Sequence, residues 1–296
     1  MGFTLRIAGL CAVWMLSQAA VAAEALPQRW ISAGGSISEW VVALGGEAKL
    51  VGVDTTSQHP VSLKTLPSIG YQRQLAAEGI LSLKPDLLVG TEEMGPPPVL
   101  EQLKAAGVRI ETLSAKADLA TLTQNLTRLG ELLGNSPRAA LVLGDYRERL
   151  AARAAWVTEA QRNQAAPRVL LLLGHAGSRP MAAGPDTSGA WLINQAGGRN
   201  VTEHSGYKAL SSEALMALDP EVVVFADRSL NGEEAKQALL KQNPALAATR
   251  AARDGRLVAL DPTLLVGGLG PRLPDGLAQL SAVFYPTAHA AAAAQP

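Results

Sequence analysis

The 296-residue chain holds a single cysteine, Cys11, so it can form neither an internal disulfide nor a thiolate cluster for zinc or iron–sulfur. Aromatic residues are scarce at 4%, and neither charge is in surplus, with 26 basic residues against 26 acidic ones. Without a clustered excess of Lys and Arg there is no general attraction for nucleic acid or for an anionic membrane surface. Long apolar runs are missing as well. The best candidate, 7–16 behind Arg6, falls short of the roughly 20 apolar residues that cross a bilayer. Followed by Ala20-Val21-Ala22, it reads as a cleavable export leader over 1–22. The expected product is an exported, periplasmic chain without cysteine, held together by packing alone.

What is present is a 48% hydrophobic composition, enough for two packed lobes. Short Leu- and Val-rich runs at 50–53, 87–89, 109–113, 169–173, 222–225 and 257–260 read as strands. Segments 37–44, 75–83 and 99–106 space their apolar residues by three and four and read as helices. This alternation predicts an α/β fold with mainly parallel sheets. From 118 to 163 the pattern is helical only, broken at Gly134-Asn135-Ser136-Pro137, and a helix of about 25 residues beginning near Pro137 would span on the order of 38 Å. The expected organisation is a first lobe over 23–117, a helical linker over 118–166, a second lobe over 167–286, and a flexible tail over 287–296.

An internal repeat strengthens this division. Gly70-Tyr71 precedes Leu75, Glu78, Leu83, Pro85, Asp86 and Val89; Gly206-Tyr207 precedes Leu210, Glu213, Leu218, Pro220, Glu221 and Val224, and one gap aligns the two series. Upstream, Trp40 and Gly45-Gly46 match Trp191 and Gly197-Gly198. The chain therefore reads as two similar α/β lobes joined by a long helix, with a ligand cleft between them. The repeated Gly-Tyr pairs fall in loops ahead of helices, where ligand contacts concentrate, so Tyr71 and Tyr207 are expected on opposite walls of that cleft. Trp40 and Trp191, also repeat-related, read as core.

The stretch from Ile69-Gly70-Tyr71 through Gln72-Arg73-Gln74-Leu75 to Lys84-Pro85-Asp86 resembles the segment that carries the axial ligand in periplasmic haem-binding proteins of bacterial ABC importers. His175-Ala176-Gly177, Pro180-Met181-Ala182-Ala183-Gly184 and Trp191-Leu192-Ile193 are similar to the start of that family's second lobe. The resemblance implies that Tyr71 binds the iron of a transported haem, which passes to an inner-membrane ABC permease and its ATPase. It also implies that acidic residues at the outer tips dock on the permease; Glu92, Glu93, Glu233 and Glu234 are the candidates. Related proteins of the same fold carry ferric siderophores or cobalamin, and these are the alternative ligands.

The chemistry agrees with a tyrosine ligand. Phenolate is a hard anionic donor that favours ferric over ferrous iron. A free phenol titrates near ~10, so such a ligand needs a neighbouring cation. Arg73 and Arg228 are the candidate cations, and either is equally suited to a haem propionate. His175, Tyr207 and Met181 are further candidates for contact with the porphyrin. His59, His204 and His289 share no metal-ligand spacing and are expected on the surface. No G-x-S-x-G, H-E-x-x-H or Walker loop occurs, and Gly267-Gly268-Leu269-Gly270-Pro271 departs from the dinucleotide fingerprint. A monomeric binding protein without enzymatic activity is the expectation; an exported α/β hydrolase is the alternative from another class.

Overall fold

The computed structural model describes residues 25–174, 179–227 and 232–293. The first lobe alternates β1 (Trp30–Ala33), α1 (Gly35–Ala43), β2 (Leu50–Val53), α2 (Ala77–Ser82), β3 (Leu87–Thr91), α3 (Pro97–Ala105) and β4 (Arg109–Leu113). Its sheet runs β2-β1-β3-β4 with every pairing parallel. All residues of β1 and β3 are buried, as befits parallel strands covered on both faces. Two helices follow, α4 (Leu119–Leu133) and α5 (Ser136–Ala160). Asp118 caps α4 by accepting the Thr121 N–H at 2.8 Å, and that bond, with Lys116 beside it, lowers the Asp118 pKa. Gly134 ends α4 at a φ of 70°. The 25 residues of α5 bury one stripe, Leu143, Tyr146, Leu150 and Val157 among them. Tyr146 packs edge-on against Trp40 at 5.5 Å, and burial pushes its phenol pKa up.

The second lobe comprises β5 (Arg168–Gly174), β6 (Met181–Ala183), α6 (Ser188–Gln195), β7 (Arg199–Asn200), β8 (Tyr207–Ala209), α7 (Ser212–Leu218), β9 (Val222–Asp227), α8 (Gly232–Gln242), α9 (Arg250–Arg253), β10 (Leu257–Ala259), α10 (Leu273–Phe284) and α11 (Pro286–Ala293). Its sheet runs β10-β9-β5-β6-β8, with β7 also on β5. The duplication holds for β5, β9 and β10, which stand where β1, β3 and β4 stand in the first lobe. It fails at the edge. Where β2 runs parallel along β1, the second lobe has only the two-residue β7, and antiparallel β6 and β8 fill the rest.

This difference corrects the expected place of Tyr207. Gly206-Tyr207 opens a strand paired to Ala183, whereas Gly70-Tyr71 enters a turn. The Tyr207 ring packs against the main core, its hydroxyl 3.4 Å from Ser188 Oγ. The helix expected over 75–83 is also shorter, because Leu75 precedes it and Ala76 is extended as the N-cap of α2.

The lobes are joined along α1. Ser36 Oγ lies 2.7 Å from the Val266 carbonyl and 2.5 Å from that of Gly267, and Trp40 Nε1 donates to the Leu269 carbonyl at 2.7 Å. A β-carbon on Gly267 would come within 2.6 Å of Ser36 Oγ, and its φ is +82°, so the glycine-rich 267–270 stretch is a close-packed seam. Glu39, 5% exposed, receives Arg272 through two bonds of 2.9 and 2.7 Å. The same guanidinium reaches Asp261 at 2.7 Å and Thr263 at 2.6 Å. Arg272→Ala strands Glu39 in the seam without a counter-ion, at an expected cost of about 3 kcal/mol. Urea denaturation would register it as a lower midpoint at unchanged slope.

Candidate functional site

A cleft of about 880 Å³ opens between the lobes, within the range of roughly 300–1,000 Å³ typical of small-molecule sites. It lies beyond the carboxyl ends of β2, β9 and β10, the edge of a parallel sheet where ligands bind. Tyr71, His59 and Lys64 line it from the first lobe; Phe225, Asp227 and Asp261 line it from the second.

Tyr71 owes its position to its backbone neighbours. Gly70, at a φ of +84°, accepts the Thr55 N–H at 2.9 Å, and the Gln74 N–H closes a turn on the Tyr71 carbonyl at 2.8 Å. The adjoining wall, 54–59, hangs on Asp54, which is 2% exposed and has no ion-pair partner among the described residues. Its carboxylate is satisfied instead by the Gly34 N–H (3.0 Å), the Thr56 N–H and hydroxyl (3.1 and 2.7 Å) and the Ser57 hydroxyl (2.7 Å). Ser38 extends this network, 2.6 Å from Ser57 Oγ and 2.7 Å from Ser32 Oγ.

Two cleft residues carried no mark in the sequence. His59, expected on the surface, is half-buried in the cleft with Nε2 3.2 Å from Asp261 Oδ2, a contact from first lobe to second. Burial alone would raise the Asp261 pKa, but the Thr263 and Arg272 bonds outweigh it and hold this carboxyl below the usual range. The stability this carboxylate adds is therefore present above the unfolded value near ~3.9 and is lost as pH falls through the lower folded value. His204, also expected outside, is half-buried with both ring nitrogens enclosed and without a hydrogen-bond partner. His289 is exposed as expected.

The structure divides the remaining sequence candidates. Arg73 is ion-paired with Glu93 and does not line the cleft. Met181, on β6, is 40% exposed and, like Tyr207, lies outside the cleft lining. His175 and Arg228 lie outside the described residues. Glu92 is tied down, accepting the Ala115 N–H at 2.8 Å. Glu233 holds Lys236 and Gln237 at 3.4 and 3.1 Å, and Glu234 is exposed beside it in the first turn of α8. Trp40 is core as expected, and Trp191 is half-buried against the core. Among the described residues, no cluster of His, Cys, Asp and Glu has the makings of a metal site.

The sequence profile of the family described as periplasmic binding protein matches residues 31–264. A crystal structure of a periplasmic haem-binding protein from Pseudomonas aeruginosa is 68% identical, with a TM-score of 0.87 over 88% of this chain and 94% of that one. The periplasmic haem-binding protein BhuT, solved with two haems, is 35% identical, with a TM-score of 0.78 over 88% and 98% of the respective chains. Among curated proteins, a cobalamin-binding protein of Halobacterium salinarum is 27% identical over 92% of this chain and 73% of its own length.

Because Asp54 organises the wall beside Tyr71, Asp54→Ala should leave several enclosed donors unpaired and cost about 2–3 kcal/mol. Hydrogen exchange should locate the loosening in 54–58, with the second lobe unaffected.

Proposed function

The chain belongs to the periplasmic binding protein family, and we propose that its cleft captures ferric haem, with the Tyr71 phenolate as the ligand to iron. One observation carries this reading: a tyrosine, held by a backbone-anchored turn, lines an interlobe cleft of the size a small molecule needs. Phenolate oxygen is a hard anionic donor matched to ferric iron, and the cleft combines it with the apolar Phe225 and Val266. Those side chains suit a flat apolar macrocycle, while His59, Lys64 and Thr56 suit its polar edge. The 68% and 35% identities to solved haem-binding proteins exceed the 27% to the cobalamin-binding relative and favour haem as the cargo.

Family and neighbours are binding proteins, and the role proposed here is carriage without turnover. In this reading the leader directs the chain to the periplasm, and the loaded monomer delivers haem to an inner-membrane ABC permease driven by its ATPase. Glu92, Glu233 and Glu234 remain candidates for the docking face. Arg228 and His175 remain candidates for the phenolate's cation and for a contact with the porphyrin. Cobalamin is the second reading, favoured by the cobalamin-binding relative.

Hemin titration of the wild type should saturate and develop the charge-transfer absorption of a phenolate-bound ferric porphyrin. Tyr71→Phe, which keeps the ring and removes the oxygen, should abolish that absorption and weaken binding at least tenfold, about 1.4 kcal/mol. Cyanocobalamin should not compete. Competition by cyanocobalamin with no spectral change on adding hemin would move the assignment to the second reading.

A further inference from the structure

Glu92 and Glu93 look equivalent in the sequence, yet the fold gives them separate work. Glu92 accepts from the Ser114 hydroxyl and the Ala115 N–H, whereas both oxygens of Glu93 are spent on the two residues that follow Tyr71. Gln72 Nε2 donates to one oxygen at 3.1 Å, and Arg73 Nη2 donates to the other. Gln72 is 1% exposed, and its carbonyl accepts the Gly95 N–H at 3.0 Å, while the Leu75 N–H donates to the Gly95 carbonyl at 2.8 Å. Segment 93–95 thus clasps the Tyr71 turn. The clasp has two physically distinct parts. The Gln72 bond fixes geometry, because it anchors a buried side-chain amide whose oxygen has no partner among the described residues. The Arg73 bond fixes charge, because it turns the guanidinium away from the cleft lining and neutralises the cation nearest Tyr71 in sequence.

We propose that Glu93 is a positioning residue for haem capture: it locks the Tyr71 turn through Gln72 and moderates the grip on the anionic ligand by neutralising Arg73. The inference rests on the haem reading for its ligand. Its mechanical half stands on the unliganded chain. Glu93 is consequently an internal brace, which argues against its assignment to a docking face. A cleft that must also give up its cargo gains from this restraint, since an unpaired guanidinium beside the site would add attraction for a porphyrin carrying two carboxylates.

Glu93→Gln separates the two parts, since the new amide oxygen still accepts from Gln72 while the charge is lost. Hemin release to a haem-scavenging apoprotein should slow about threefold at low salt, in keeping with a partly exposed ion pair, and the difference should shrink at high salt. The change should vanish in an Arg73→Gln background. Glu93→Ala removes both parts and should release hemin faster than wild type, with a weaker charge-transfer absorption. In the protein without hemin, amide exchange at Gln74 and Leu75 should quicken in Glu93→Ala and stay unchanged in Glu93→Gln. Equal release by wild type and Glu93→Gln, or an effect that persists without Arg73, overturns the charge role. Unchanged exchange in Glu93→Ala overturns the brace. A wild type that fails to bind hemin, with the exchange pattern as expected, refutes the haem reading and leaves the brace standing.

Discussion

The two-bonded contact between Arg272 and Glu39 is the constraint on which the cleft depends. Glu39 sits on the first helix of the first lobe and Arg272 ahead of the last long helix of the second, so the pair fixes how the carboxyl ends of the two sheets face one another. Ser36 and Trp40, on the same short helix, add bonds to the 266–269 backbone, and behind them Tyr146 of the linking helix packs on Trp40. A charge pair this enclosed contributes little net stability over an apolar replacement, but breaking it is costly, and its geometry is directional. Its value here is orientation. Lobes joined by a side-chain seam as well as by a long helix are expected to adjust by small hinge movements rather than wide closure.

That orientation brings together groups far apart in the chain. His59 of the first lobe meets Asp261 of the second, and Asp261 in turn shares Arg272 with Glu39, so the cleft and the seam form one connected set of polar contacts. Against this paired background Tyr71 is presented by backbone bonds, with its neighbours clasped by Glu93. The fold is shared with carriers of other ligands, so specificity must reside in such cleft side chains rather than in the architecture.

Much of this was legible in the sequence, for physical reasons that also explain the gaps. Strands β3, β5 and β9 announce themselves because burial on both faces demands continuous apolar runs, and the linker because Asp118, Gly134 and Pro137 punctuate it. Strand β1 passed unnoticed: it is four residues long, and Ser32 interrupts it, satisfied by the buried hydroxyl of Ser38. Strands β6 and β8 are three residues each, with alanine where β-branched residues would give a signal, and their antiparallel pairing sends Tyr207 into its own lobe. Tyr71 was found through the repeat. His59 and Asp261 could not be, because nothing in the repeat marks them and only the folded chain makes them neighbours. The buried Glu39 did leave a trace, as a lone charge within an otherwise apolar helical pattern.

The central claim is that an ionised tyrosine oxygen, held between the lobes, grips the iron of the transported haem. A crystal structure of the hemin complex tests it most directly. Iron should lie in the cleft bonded to the Tyr71 oxygen, with the Arg272–Glu39 seam unchanged. Iron ligated by another residue, or porphyrin bound outside the interlobe cleft, would contradict it.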